Sequence, residues 1–423
     1  MAFPKHSILQ ALSVLLLAWV LVHCQAPLEA EEEKKEKPLK ETDTAPEVTK
    51  SEPIDCPPDC SCTAEGTVDC AGVNLIEFPA GLSDKTRQLS LQSNKLEKIP
   101  AGAFNNLPNL RELYLQNNLL SNEGMDNGTF SQLTRLECLD LSNNNLSVVP
   151  KGLPRNLVLL HLEKNSIRLI PGDALTPVRN LEYLLLHNNK LRSRSIHPNA
   201  FQGLKKLHTL HMYNNLLERV PRSLPRRAKT LMLLHNHISE IGRNDLSILY
   251  SLTELNLSYN KLTSSKLHRE AFRKLRFLET LELSGNSLHS MPLGLPRSLQ
   301  VLEIKNNKLN SIPDGVLMGM EKLRKLILSN NQLKLNSVYQ GAWMELTALT
   351  TLDLSGNQLS HIPSDLPESL EYLYLQHNRI SSVPSSAFEG TPKIKGIYLR
   401  PDTLQVCGNL VCGSLHNFPF HAN

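Results

Sequence analysis

The stretch LECLDLSNNNLSVVP, residues 136–150, decides how the rest of the chain is read. Alternation over its first half indicates a short strand, with Leu139 and Leu141 on one face and Cys138, Asp140 and Ser142 on the other. Three asparagines in a row, Asn143 to Asn145, end the alternation. Amides at a strand exit serve either chemistry or construction, and the rest of the sequence separates the two.

The same spacing, L-x-x-L-x-L-x-x or a close variant before an asparagine, recurs at Asn94, Asn118, Asn144, Asn165, Asn189, Asn215, Asn236, Asn260, Asn286, Asn307, Asn331, Asn357 and Asn378. Successive steps are 24, 26 and 21 residues in strict rotation, a super-period of 71. Pro79, Pro150, Pro221, Pro292 and Pro363 keep the same period, as do Pro154, Pro225, Pro296 and Pro367. Such self-similarity defines leucine-rich repeats, in which each unit is a strand plus a return segment that buries its apolar side only against its neighbours. The asparagines then have a structural task. A side-chain amide both donates and accepts, so it satisfies backbone groups that the bend leaves unpaired inside the coil.

The return segments of the longer units carry Phe104, Phe130, Phe201, Phe272, Trp343 and Phe388, expected as core behind the sheet. The fold class is therefore an α/β-type leucine-rich repeat solenoid. Thirteen or so strands at about 4.8 Å each make a curved parallel β-sheet about 60 Å long on the concave face. Short return segments, mostly irregular, 3-10 or briefly helical, form the convex face.

Outside the repeats the composition changes. Residues 1–24, with an apolar run from Ile8 to Val22, read as a signal peptide too short to span a bilayer, and no later stretch suits membrane insertion. Residues 25–55 hold ten acidic residues and five lysines with few bulky apolar side chains, and are expected to be a disordered leader. Residues 56–73 form an N-terminal cysteine cap, 74–400 the repeat array, and 401–423 an atypical tail in which Asp402 stands where the next asparagine is due. From residue 56 onward the chain holds 39 basic and 31 acidic residues, a net charge of +8. Sulfated glycans are thus candidate partners, with Arg222, Arg226, Arg227 and Lys229, or Arg269, Arg273, Lys274 and Arg276, as candidate contacts. Nucleic acid is not expected for an exported chain.

Cys56, Cys60, Cys62 and Cys70 lie just ahead of the first repeat, where a disulfide-stapled lid would cover the open end of the core. Four cysteines allow three pairings, and the sequence does not choose among them; zinc ligation is the minor alternative. Cys138 is expected as a thiol on the concave side, and Cys407 with Cys412 as a local C-terminal disulfide.

The cap spacing C-x3-C-x-C-x7-C, the 24-26-21 rotation and stretches such as LEYLLLHNNKL and SLEYLYLQHNRISSVP resemble the fifth class of the small leucine-rich proteoglycans, over about residues 56–400. That resemblance implies a secreted extracellular matrix protein that binds fibrillar collagen, influences fibril assembly and modulates growth-factor signalling or cell growth. Many members close the array with an extended repeat and a distant cysteine pair, whereas the two cysteines here are five residues apart, which suggests a shortened form.

Ser-Gly pairs occur only at Ser284-Gly285 and Ser355-Gly356, inside strand-exit turns, so no glycosaminoglycan chain is expected. N-glycosylation sequons stand at Asn127, Asn145 and Asn256. By phase, Glu112, Tyr114, Asp140, His161, Glu163, Tyr183, His187, His211 and Tyr213 project from the concave strands and are the candidate partner contacts, aromatic rings beside charge suiting a basic rod. His161 beside Glu163 invites an acid/base reading. It falls, however, at a phase that other units fill with varied residues, and no zincin motif, phosphate loop or nucleophile elbow is present, so catalysis and cofactors are not expected. The rival reading is a soluble receptor-like ectodomain or decoy for a protein ligand.

Overall fold

Strands form at the x-L-x triplets at the head of each repeat, and each short strand is held by its neighbours rather than by its own length. The computed structural model describes residues 56–384 and 386–399. The expected segments 1–24 and 25–55, the tail 401–423 and the Cys407–Cys412 pair lie outside them.

The sheet opens with a hairpin of β1 (Ser61–Cys62) and β2 (Thr67–Asp69) in antiparallel register. Then come β3 (Gln88–Ser90), β4 (Glu112–Tyr114), β5 (Cys138–Asp140), β6 (Leu159–His161), β7 (Tyr183–Leu185) and β8 (Thr209–His211). Further strands continue to β16 (Gly396–Tyr398), every one adding beside the last in chain order and parallel from β2 onward. The register keeps the middle residues level, Leu113 beside Leu139, Leu160 and Leu184. These leucines are fully buried, each contributing about 1.5–3 kcal/mol.

Asn144 shows how one coil is sewn to the one before it. Its Nδ2 donates to Leu115 O at 3.0 Å in the preceding repeat and to Leu141 O at 3.2 Å in its own, while its Oδ1 accepts Leu120 N at 3.0 Å. The same triad of bonds recurs at Asn118, Asn189, Asn236 and Asn357. A second, exterior relay runs one residue earlier, where the backbone turns left-handed: Asn117, Asn143, Asn188 and Asn214 have φ of 57°, 50°, 55° and 51°. There Asn143 donates to Asn117 at 2.6 Å and Asn214 to Asn188 at 2.7 Å.

Behind the sheet, Phe104, Phe130, Phe201, Phe272 and Trp343 are buried, and Phe388 packs partly buried against the same core. The return segments contain little helix. Among the described residues three 3-10 turns occur, Ser193–Ser195, Ser264–Lys266 and Leu335–Ser337, one in each super-period after the first. The cap pairs Cys56 with Cys62 and Cys60 with Cys70, which selects one of the three pairings and commits all four sulfurs to disulfides rather than to zinc. Cys70 is itself fully buried and its amide donates to Ser90 O at 2.8 Å, fastening the lid to the first coil.

Candidate functional site

Outward-facing side chains line up in columns across the concave strands because the parallel register repeats them at strand spacing. The centre of the N-terminal half is a polar cluster on β5 to β8 and the turns that follow. His161 Nδ1 lies 3.0 Å from Glu163 Oε1; the His187 and Tyr213 rings stack at 4.2 Å, and His211 packs at a tilt against Tyr213. Asp140 Oδ1 accepts the Ser142 amide at 2.8 Å.

These groups sit deeper than strand alternation indicates. Glu112, Tyr114, Tyr183 and Tyr213 are half-buried, but His211 is 4% and His187 9% exposed, so these two candidate contacts are part of the wall. The cause is inward curvature together with bulky apolar neighbours. Leu159 and Leu185 occupy outward positions of β6 and β7 and are themselves buried, and Met232 and Leu234 continue that apolar lining. The runs VLLHL and LLLH carry this signal, since leucine stands there where other units place a polar residue. Cys138, expected on the concave face, is likewise buried there, beside Leu159 in register.

Burial sets the electrostatics. It pushes the Asp140 carboxyl above the ordinary aspartate range, against the pull of His161. Burial works the same way on Glu163, but the His161 ring outweighs it and holds that carboxyl below its usual range. Loss of water lowers His187 to about 4 and His211 to about 3, and raises Tyr213 to about 12 with help from the Glu163 charge. At neutral pH, His187 and His211 therefore add no positive charge. Glu163 Oε2 and His187 Nδ1 are buried without a hydrogen-bond partner among the described residues.

The acids of the face differ in how they are met, and the difference does not simply follow the two halves: among the described residues, Glu254 and Glu282 in the C-terminal half accept only Thr230 and Asn256. In the C-terminal half, Glu303 receives Lys325 at 2.7 Å and Lys305 at 3.2 Å. In the N-terminal half, neither Glu112 nor Asp140 has a lysine or arginine partner among the described residues; the Glu112 carboxylate accepts the Tyr114 hydroxyl at 2.8 Å. The half-buried Glu112 is also raised, by burial first and by Glu137 in addition.

The sequons separate by placement. Asn127 and Asn145 are exposed. Asn256 is 8% exposed on the concave face, donates to Glu282 at 2.7 Å and accepts the Ser258 amide at 3.0 Å, so the folded protein offers no free amide there.

This geometry and the sequence agree on a class. The Leucine rich repeat family matches residues 84–146, 155–217, 226–288, 297–359 and 369–390, and the chain belongs to it, among the small leucine-rich proteoglycans. It is 59% identical to Podocan of Mus musculus over 78% of this chain and 54% of that protein, and 46% identical to mouse Podocan-like protein 1 over 80% and 61%. Keratocan of Bos taurus is 34% identical over 55% of this chain and 66% of its own length. The chain spans little more than half the length of the podocan relatives. Among solved structures, a leucine-rich repeat protein of Leptospira interrogans shares the fold with a TM-score of 0.67 at 23% identity, covering 84% of this chain and 94% of that one.

Proposed function

We propose that this is a secreted extracellular matrix protein whose concave face binds fibrillar collagen, and that through this contact it modulates matrix assembly and growth-factor or cell-growth signalling. One observation carries the reading: the carboxyls of Glu112 and Asp140 have no lysine or arginine partner among the described residues, on a face that also presents the half-buried rings of Tyr114, Tyr183 and Tyr213. A rod presenting basic side chains would supply the missing partners and cover the rings, the combination typical of interface hot spots. N-linked sugar belongs at Asn127 and Asn145, away from this surface, and not at Asn256.

Asp140 and Glu163 are too deeply built in for charge reversal to report on binding alone. Glu112 and Tyr183 are the suitable positions. In solid-phase binding of the purified protein to fibrillar collagens, Glu112→Lys with Tyr183→Ala should weaken binding about 10- to 100-fold, with thermal unfolding little changed. Lys305→Ala, in the half where Lys305 and Lys325 already meet Glu303, should have little effect. Retention of full affinity by the Glu112/Tyr183 variant would remove this face from the contact.

A further inference from the structure

On the convex side, the return segments near residues 199–205, 220–227 and 244–250 enclose a cleft of about 750 Å³. Lys205, Arg222, Arg226 and Arg227 line it, all exposed and none in an ion pair among the described residues. Tyr250 stands at the same cleft and is 51% exposed. Its one carboxylate, Asp245, is turned to the backbone, accepting the Gly242 amide at 2.7 Å. The basic groups anticipated from the sequence are thereby re-sorted. Lys205 replaces Lys229 in the lining, and in the alternative group Arg273 is tied to Glu270, which also receives Arg243.

Comparison with neighbouring super-periods shows two departures that create the cleft. At the register of Ser223, Gly152 and Gly294 have φ of 68° and 66°, and a Cβ added to them would lie 2.8 Å from Gly128 Cα and 2.5 Å from Arg269 O. Those turns rest directly on the preceding repeat. Ser223 keeps the left-handed conformation at φ 56° although it is not glycine, and its Cβ forbids the same close approach. The second departure removes a counter-charge. Lys151, at the register of Arg222, is paired with Asp173 at 2.9 Å; the residue at the register of Asp173 in this super-period is Asn244, which lines the cleft and leaves Arg222 unmatched.

A strained residue that opens a space and the loss of the one acid that would neutralise it both favour an anionic occupant. Three of the four cations are arginines, whose planar forks bind oxyanions in pairs, and the exposed tyrosine ring suits the face of a sugar rather than a peptide carboxylate. We infer that this convex cleft is a binding site for a linear sulfated glycan, separate from the concave face.

The test uses the whole protein and a heparin octasaccharide, measured calorimetrically at two salt concentrations. Replacing Arg222, Arg226 and Arg227 together by alanine should weaken binding about 30-fold or more and flatten the salt dependence, whereas Lys229→Ala with Arg276→Ala, equally exposed but outside the cleft, should change it less than about threefold. Ser223→Gly should raise the melting temperature and lower affinity, because the turn can then settle onto the preceding repeat. Fully desulfated octasaccharide and polyglutamate should bind at least about tenfold more weakly than the sulfated probe. Equal losses from the two arginine and lysine sets, or polyglutamate matching the sulfated sugar, would overturn the assignment. Collagen binding by the Arg222/Arg226/Arg227 variant should be unchanged, so this site and the concave one fail independently.

Discussion

The three asparagines of residues 143–145 have three different situations although they are chemically identical. Asn143 is in the exterior relay at φ 50°, Asn144 is 7% exposed with its amide fully bonded, and Asn145 is exposed within a sequon. Removing Asn144 would strand buried groups in two coils at about 1–3 kcal/mol each. Asn144→Ala is therefore expected to cost about 3–5 kcal/mol in urea unfolding, against less than about 0.5 kcal/mol for Asn145→Ala. The inner ladder was readable in the sequence because it never varies. The outer one was not, since Ser93, Lys164, His235 and Tyr259 share its left-handed conformation, and only geometry shows that the position is defined by backbone rather than by residue type.

For single strands, alternation reports which way a side chain points but not how deep it sits. Depth on the concave face depends on residues in the same and adjoining coils, as the burial of His187 and of His211, level with Leu185, shows. A consequence follows for acid stability. Both rings have folded pKa values below the ordinary 6.5, about 4 and about 3, so unfolding takes up protons in the window between. Stability is complete above pH 6.5 and falls as the pH drops towards 4, by an amount on the order of 3 kcal/mol per ring; the raised Asp140 carboxyl opposes this in part. Urea midpoints measured from pH 7 to 4 should fall steeply for the native sequence and more gently for His211→Phe. A parallel decline in both would place the proton uptake elsewhere.

Across the whole molecule, the periodicity made the solenoid legible from end to end, while the pairing of the cap and the convex cleft needed coordinates. Both depend on departures from the repeat: four cysteines that occur once, and a serine standing where neighbouring units have glycine. The cap covers apolar residues of the first coil that a preceding coil would otherwise bury, with Val68 of the cap level with Leu89. Cys60→Ser with Cys70→Ser should lower stability by about 2–4 kcal/mol and start unfolding at that end, visible as early loss of amide-exchange protection in β2 and β3. Uniform loss along the array would contradict a purely local lid.

Because each coil is sewn only to the ones beside it, the molecule has a mechanical grain. Stretched between its ends, it should yield as a file of short links rather than rupture all at once. Successive links contain 24, 26 and 21 residues, so the released contour should grow in steps of about 70–90 Å, in a rhythm that repeats every third event.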